Sequence, residues 1–544
     1  MWKQATIVFL LLASLVLPFA LRPSSPKSGR AESTLVIITP HNEAIRQEFG
    51  LAFARWYQAR TGRTVALDWR LIGGTSEIAR HLEGEYTAAF KNHWVNTLGR
   101  PWSNAVLLGF ANGALPPDAT APAKEARAAF LASNVGCGID LFFGGGSYDF
   151  IRQAQAGRLV SSAVFQSHPE WFTEAVIPPA FAGEPFWDRE GRWVGTVLSS
   201  FGIIANRDAL RRLGVTRPPQ AWADLADPRF FGEVALADPT KSGSMAKAFE
   251  NVIQQQMQRV VAERLAGAAQ VDDFTRRSAE LAAVAEGWCE GLKLIQRIGA
   301  NARYFTDSAQ KVPIDVAAGD CAVGMAIDFF GRQQQEAVRR RGADDRVTYV
   351  SPAGGAVASV DPVGLLRGAP HRAVAEAFIE FSLSLDGQKL WNLQPGAPGG
   401  PAYFALRRLP VRRDFYTQPG IAAVRSDPDE DPYSAQNRLI NQPERTGRLF
   451  REMALVIRVM CLDTQPELKR AWKALIAAGM PAEALALFQD LTAVDYAAAQ
   501  GRIRTALRSA NKVDELLLAK ELAQKFRTQY QRTVELAEAA RRRP

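Results

Sequence analysis

The chain has 544 residues, 47% hydrophobic and 22% charged, with a formal net charge of +9 and a pI near 9.4. That balance suits two or more domains with cores of their own and excludes a disordered, collagenous or coiled-coil chain. The positive charge is spread in short clusters (Arg339-Arg340-Arg341, Arg407-Arg408, Arg412-Arg413, Arg541-Arg542-Arg543) that read as solvated helix ends and tails, and without zinc-finger spacing or a stacking aromatic pattern nucleic acid is not an expected partner.

Lys3 precedes an uncharged run over residues 5–21, broken by Pro18 and followed by a polar stretch to residue 33. One cation, an apolar run and a polar spacer predict an export signal over residues 1–33, cleaved near Ala20 or retained as a membrane anchor. No other stretch approaches membrane-spanning length.

From Thr34 the pattern alternates strand and helix. A β-branched run over residues 35–39 ends in Pro40-His41-Asn42, and a helix follows over 43–61 with Phe49, Phe53, Trp56 and Tyr57 on one side and Gly62 as its stop. A second strand over 64–69 leads to Gly73-Gly74-Thr75-Ser76, which opens a second helix. This order predicts a parallel α/β sheet, whose ligands gather beyond the carboxyl ends of the strands. Residues 86–133, with Pro101, Pro116, Pro117 and Pro122, read as a loop-rich insertion. A strand over 139–143 then ends in Gly144-Gly145-Gly146-Ser147, where bare backbone suits a tight turn or close ligand approach.

Residues 193–206 form one long extended segment, long enough to pass between lobes, and Ser199 lies within it. A short strand over 234–237 is followed by Asp238-Pro239-Thr240-Lys241-Ser242-Gly243-Ser244 at a helix start. Small hydroxyl and glycine residues there leave backbone N–H groups and the positive end of the helix dipole facing one spot, an anion site or a plain N-cap.

In their order these motifs resemble the extracellular solute-binding proteins of ABC importers, in the branch that contains the periplasmic ferric-ion-binding proteins. The passages that carry the resemblance are Thr39-Pro40-His41-Asn42-Glu43-Ala44, Asn206-Arg207-Asp208, residues 238–244, and a closing run from Asp361-Pro362-Val363-Gly364 through Ala369-Pro370-His371 to Asp386-Gly387-Gln388. The resemblance implies an α/β, two-lobed type II periplasmic-binding fold joined by two crossing strands. Lobe 1 is expected over residues 34–198 and 353–405, lobe 2 over 199–352 and 406–425, and a helical extension packed on lobe 2 over 426–544.

The resemblance further implies a non-enzymatic receptor, periplasmic or otherwise extracytoplasmic, whose partners are a small-molecule ligand and the membrane permease of an ABC importer, with no cofactor and a monomeric state. His41 matches the histidine that follows the first strand in ferric-binding members. Where those members carry two adjacent tyrosines this chain has Asp328-Phe329-Phe330, and phenylalanine offers a hard cation no phenolate. The ligand is therefore expected to be a small anion bearing phosphate, phosphonate or carboxylate, seated on Ser242, Gly243 and Ser244. Thr39, His41, Asn42, Gly74, Thr75, Ser76, Gly145, Gly146, Ser199 and Asp328 are the further candidates. Asp328 reads either as an acceptor for a ligand amino or hydroxyl group or as a helix cap. The alternatives are a ferric receptor with non-tyrosine ligands and an exported enzyme on the same fold, although no Gly-x-Ser-x-Gly elbow, His-Glu-x-x-His pair or Walker loop is present. No metal or catalytic residue is assigned.

Four scattered cysteines (Cys137, Cys289, Cys321, Cys461) form up to two bridges or stay as buried thiols. In the C-terminal extension Leu449, Met453 and Ile457 mark one helix and Leu468, Trp472, Leu475 and Ile476 another, with Thr464-Gln465-Pro466-Glu467 between them as a capping box. A helical hairpin is expected over 482–491 and 495–508.

Overall fold

A computed structural model describes residues 31–266, 272–342, 344–433, 438–509 and 511–542. The expected export signal lies largely outside them. The strands are β1 (Ser33–Ile38), β2 (Val65–Arg70), β3 (Leu141–Phe143), β4 (Leu159–Val160), β5 (Ala180–Phe181), β6 (Glu184–Pro185), β7 (Val194–Ser199), β8 (Phe201–Asn206), β9 (Val234–Ala237), β10 (Ala302–Thr306), β11 (Val323–Ile327), β12 (Val347–Val350), β13 (Ser359–Leu366) and β14 (Leu409–Pro410). The helices that matter for function are α1 (Glu43–Thr61), α2 (Thr75–Asn92), α3 (Ser147–Ala156), α4 (Gly243–Leu265), α5 (Asp273–Asn301), α6 (Asp328–Arg340), α7 (Arg372–Leu383) and α8 (Leu385–Asn392). In the C-terminal extension they are α9 (Phe450–Ile457), α10 (Gln465–Ala477), α11 (Ala482–Phe488) and α12 (Lys512–Arg542).

Two mixed sheets organise two α/β lobes. The first has the order β14-β7-β13-β3-β1-β2, with β4 also on β13, and the second runs β10-β9-β11-β8-β12. β1 is parallel to β2 and β3, as strand-helix-strand units require, whereas β13 and β7 run antiparallel. The long extended segment is two strands, because β7 ends at Ser199 in the first sheet and β8 begins at Phe201 in the second. The chain returns between Val350, at the end of β12, and Ser359, at the start of β13. Two crossings therefore join the lobes. One assignment changes: Leu409 and Pro410 pair with Leu198 and Val197 of β7, so the segment expected in lobe 2 from residue 406 begins on the sheet of lobe 1.

Local sequence explains the helices nearest the crossings. The Asn42 side chain accepts from the Ile45 N–H at 3.1 Å and starts α1, and Gly62, at φ 73°, stops it by donating to the Gln58 carbonyl at 2.8 Å. The face that α1 buries carries Phe49 and Phe53 against Phe378 and Phe381 of α7, and Phe49 also meets Trp391 of α8. The insertion after Tyr86 is more helical than its prolines suggest. Tyr86 sits inside α2 and donates to the Arg367 carbonyl at 2.7 Å, and Pro122 falls in the first turn of a helix over Ala121–Ala132, where a missing N–H costs nothing.

The C-terminal extension covers α5 with paired polar groups inside an apolar contact. Trp288 donates to the Val494 carbonyl at 3.0 Å, Gln296 to the Phe488 carbonyl at 2.8 Å, and Trp472 to Asn301 Oδ1 at 2.8 Å. It also reaches the first lobe: Asn441 donates its N–H to the Ala182 carbonyl at 2.8 Å, and the Phe450 ring lies 4.4 Å from that of Tyr148 in α3. The expected capping box at Thr464 does not form. A π-helical turn over Arg458–Leu462 leaves carbonyls short of partners, and the Thr464 hydroxyl donates back to Val459 and Met460 at 3.1 and 2.7 Å. All four cysteines are free thiols, Cys321 and Cys461 buried. Among the described residues no helix is long and apolar enough to cross a membrane.

Candidate functional site

Between the lobes, three helix N-termini converge. On the first lobe Gly74 precedes α2, and β3 runs into Gly144, Gly145 and Gly146 before α3. On the second, β9 leads through an Asp238 turn, whose carboxylate accepts the Thr240 N–H at 2.8 Å, to Ser242, whose hydroxyl accepts the Met245 N–H at 3.3 Å and caps α4. The glycines are required by what faces them. A Cβ on Gly144 would lie 2.4 Å from the His41 ring, one on Gly145 2.5 Å from Thr75 Oγ1, and one on Gly74 2.6 Å from the Lys241 carbonyl of the opposite lobe. Gly144 and Gly145 also have φ of 90° and 106°, where a side chain adds strain. Each helix end contributes N–H groups and about half a positive charge, with the Gly74 N–H taken by Glu77 Oε2 at 3.0 Å and the Met245 N–H by Ser242.

Asp149, the third residue of α3, enters this cluster. It is 6% exposed, and its Oδ2 lies 3.3 Å from where a side chain at Gly243 would begin. Burial pushes its pKa up to about 6, against the pull of Arg152 and Arg80.

A second cluster sits at the first crossing. The paired register of β13 and β7 sets Ser359 opposite Ser199 and brings Asp361 close to it. Ser199 Oγ is 3.2 Å from Asp361 Oδ1, and Arg408 donates to Asp361 Oδ2 at 2.7 Å and to the Ser199 hydroxyl. His41 Nε2 faces both Arg408 Nη1, at 3.2 Å, and Asp361 Oδ2, at 3.5 Å, while the buried Nδ1 has no hydrogen-bond partner among the described residues. His41 packs edge-on against Phe143, with ring centroids 4.5 Å apart. Burial holds its pKa below the ordinary value, with Asp361 acting the other way. Asp361 would be raised by burial, but Arg408 and His41 hold it below the usual carboxylate value. Arg408 is fully buried, its guanidinium 4.4 Å from the Phe329 ring centroid at the start of α6 in the second lobe.

A third group links the lobes beside α4. Lys247, partly buried, pairs with the buried Glu184 of β6 and the buried Glu250, the latter at 2.8 Å, and Gln254 joins Asn441 at 2.9 Å.

The structure brings Gly74, Thr75, Ser76, Gly145, Ser242 and Gly243 together at the seam, leaves Gly146 and Ser244 at the starts of α3 and α4 beside it, and brings His41 and Ser199 into the cluster around Arg408. Thr39 and Asn42 serve the backbone instead: Thr39 Oγ1 accepts the His41 N–H at 3.1 Å, and Asn42 caps α1. Asp328 is corrected as a ligand acceptor. One oxygen takes the Phe329 N–H at 2.8 Å and the other Arg332 at 2.7 Å, so the residue is committed within α6. Arg407-Arg408 and Arg412-Arg413 are likewise not solvated ends, since Arg408 and Arg412 are buried and Arg407 pairs with Asp427 at 2.6 Å. Asp149, Asp361 and Arg408 are the residues that sequence reasoning missed. The one local signal was Asp149's place in the first turn of a helix after a glycine run. Among the described residues no group of three or more His, Cys, Asp or Glu is arranged to hold a metal ion.

Residues 139–407 match the family of bacterial extracellular solute-binding proteins. That stretch is just under half of the chain, and over it the chain is similar to this family. An uncharacterized protein of Haemophilus influenzae is 26% identical over 253 residues, 46% of this chain and 60% of that protein. The phosphoglycerate transport regulatory protein PgtC of Salmonella typhimurium is 24% identical over 293 residues, 52% of this chain and 57% of PgtC. The matches thus span less than two thirds of these curated relatives. Among solved structures, the periplasmic binding protein AfuA from Actinobacillus pleuropneumoniae, with fructose-6-phosphate bound, is 16% identical at a TM-score of 0.44, over 71% of this chain and 86% of AfuA. Iron-bound HitA from Pseudomonas aeruginosa is 16% identical at 0.45, over 78% of this chain and 99% of HitA.

Proposed function

We propose that the protein is the solute-binding component of an ABC import system, capturing a small anion that bears phosphate, phosphonate or carboxylate between its lobes and presenting it to a membrane permease. The observation that carries this reading is the meeting of the N-termini of α2 and α3 from one lobe with that of α4 from the other, around Gly74, Gly146 and Ser242. Each N-terminus attracts an anion by about 0.3–1 kcal/mol when exposed and up to ~2 kcal/mol when partly buried. An anion touching both lobes favours their closure over any open arrangement, which is how a hinge reports occupancy. The likeness to PgtC, a phosphoglycerate transport regulatory protein, supports an anionic cargo.

A ferric cargo fits less well, because His41 Nε2 faces the Arg408 guanidinium, a permanent cation. The Ser199 hydroxyl is engaged by Asp361 and Arg408 rather than by His41, which supports binding over a serine nucleophile activated by His41. The pattern over residues 1–33 supports a location outside the cytoplasm, with the leader cleaved or kept as a tether, and a monomer is the form this reading takes.

Thermal shift of the full chain against phosphate esters, phosphonates, carboxylates, sugars and ferric salts tests this reading, since a clamped ligand stabilises by mass action. An anion giving the largest rise in Tm, lost in a Ser242→Ala, Ser244→Ala double variant, is the expected result. A ferric salt giving the largest rise, or no anion giving any, would overturn it.

A further inference from the structure

Asp149 is 94% buried where the three helix N-termini meet, and no described residue gives its carboxylate a hydrogen bond or a close ion pair. Arg152, one turn further along α3, and Arg80 of α2 act on it only through space. Its Oδ2 points at Gly243, the first residue of α4, with Thr75 and Ser76 beside it. The seam therefore combines donors and positive helix ends with an unpaired acceptor-only group, Asp149, whereas the other carboxylate there, Glu77, is committed to the Gly74 N–H at 3.0 Å.

This combination discriminates among anions. Inorganic phosphate or a simple alkyl phosphate set on the N-termini of α2 and α4 lies beside a like charge and leaves the Asp149 oxygens unpaired. A ligand that joins its anionic group to a hydroxyl or ammonium group answers both: the anion takes the N–H groups, and the neighbouring hydrogen takes Asp149 in a charge-assisted bond. We infer that Asp149 is a specificity residue that selects small anions carrying a hydroxyl or ammonium hydrogen next to the anionic group, such as phosphorylated polyols, amino-alkyl phosphates and hydroxy acids. The inference rests on reading the seam as the ligand seat.

Isothermal titration of the full chain with matched probes tests it: ethyl phosphate against glycerol 3-phosphate and O-phosphoethanolamine, and propionate against lactate. In the unaltered protein at least one probe with a donor is expected to bind about tenfold tighter than its partner without one. Asp149→Asn should shrink that ratio to about threefold or less. A ratio near one in the unaltered protein overturns the assignment without need of any variant, and so does a ratio that survives in both Asp149→Asn and Asp149→Ser. If probes bind but the ratio fails, only the role of Asp149 falls. If none of the five binds, the seam is not an anion seat and both readings fall.

Discussion

The guanidinium of Arg408 and the ring of Phe329 face each other across the lobes, 4.4 Å from carbon to ring centroid, while the same guanidinium holds Asp361 at 2.7 Å on its own side. A fully buried cation thus ties the strand crossing to the first turn of α6. Its charge is balanced by one carboxylate and its remaining surface by aromatic faces, the arrangement a buried arginine needs.

Removing this cation should be costly. Arg408→Met leaves Asp361 charged and without its partner, and the expected loss is about 3–5 kcal/mol. Arg408→Lys should recover only part of it, because an ammonium cannot bond Asp361, Ser199 and His41 in one plane while stacking on Phe329. Urea midpoints of the two variants at unchanged m-value give the answer, and equal midpoints would remove the case for the planar fork.

Asp149 should lower stability at neutral pH. Its folded pKa of about 6 lies above the ordinary 3.8, so its contribution is fully present below 3.8 and is lost as pH rises through about 6. Asp149→Asn does not titrate. It should therefore be more stable than the parent by up to about 3 kcal/mol above pH 6, the gain vanishing below pH 4. Chemical denaturation at pH 4 and pH 7.5 reads the difference, and a destabilised Asp149→Asn at pH 7.5 contradicts the burial argument.

His41 acts with the opposite sign. Its pKa is held below 6.5 in the folded state, so its contribution is intact above that value and is lost as pH falls through the folded pKa, because the unfolded chain takes the proton first. His41→Gln should flatten the fall in stability below pH 6.5, while leaving stability at pH 8 within about 1–3 kcal/mol of the parent. An unchanged slope would mean that another group carries the acid sensitivity.

Lys247 stands between two buried carboxylates, Glu184 and Glu250, in a contact that joins the lobes. Lys247→Met should cost about 3–5 kcal/mol by leaving both charges unpaired. Adding Glu184→Gln should return part of that loss, a non-additivity that a double-mutant cycle measures directly. Additive losses would place the two residues in separate environments.

Gly74→Ala should keep the lobes from meeting as they do here. Gly74 has φ −72°, so alanine is locally permitted, and the only conflict is the new Cβ at 2.6 Å from the Lys241 carbonyl across the seam. Small-angle scattering should show a larger radius of gyration, with a stability loss of about 1–3 kcal/mol from the crowding. An unchanged radius would mean that the seam yields locally.

Much of the framework was legible in order along the chain. The β-branched run over residues 35–39 and the strand over 64–69, the Asn42 and Gly62 signals around α1, and the glycine or serine breaks before α2, α3 and α4 each depend on neighbours a few positions away. Errors fell where a local signal had two outcomes. Thr464 was placed to cap a helix, but a π turn before it offered nearer carbonyls, and Asp328 had Arg332 one turn along to answer it.

The sequence by itself determined that this chain alternates strand and helix through two lobes, and that small residues stand at the helix starts, because both follow from periodicity and backbone geometry. Which charges meet was decided only in three dimensions. Arg408 lies 367 positions from His41 and 209 from Ser199, and no spacing rule connects them. Asp149 meets Gly243 only because the seam lays α3 of one lobe against α4 of the other. Burial turned one arginine of a polar-looking pair into a structural cation and one first-turn aspartate into an unpaired carboxylate. A charge's role depends on the partners and the solvent that folding leaves it.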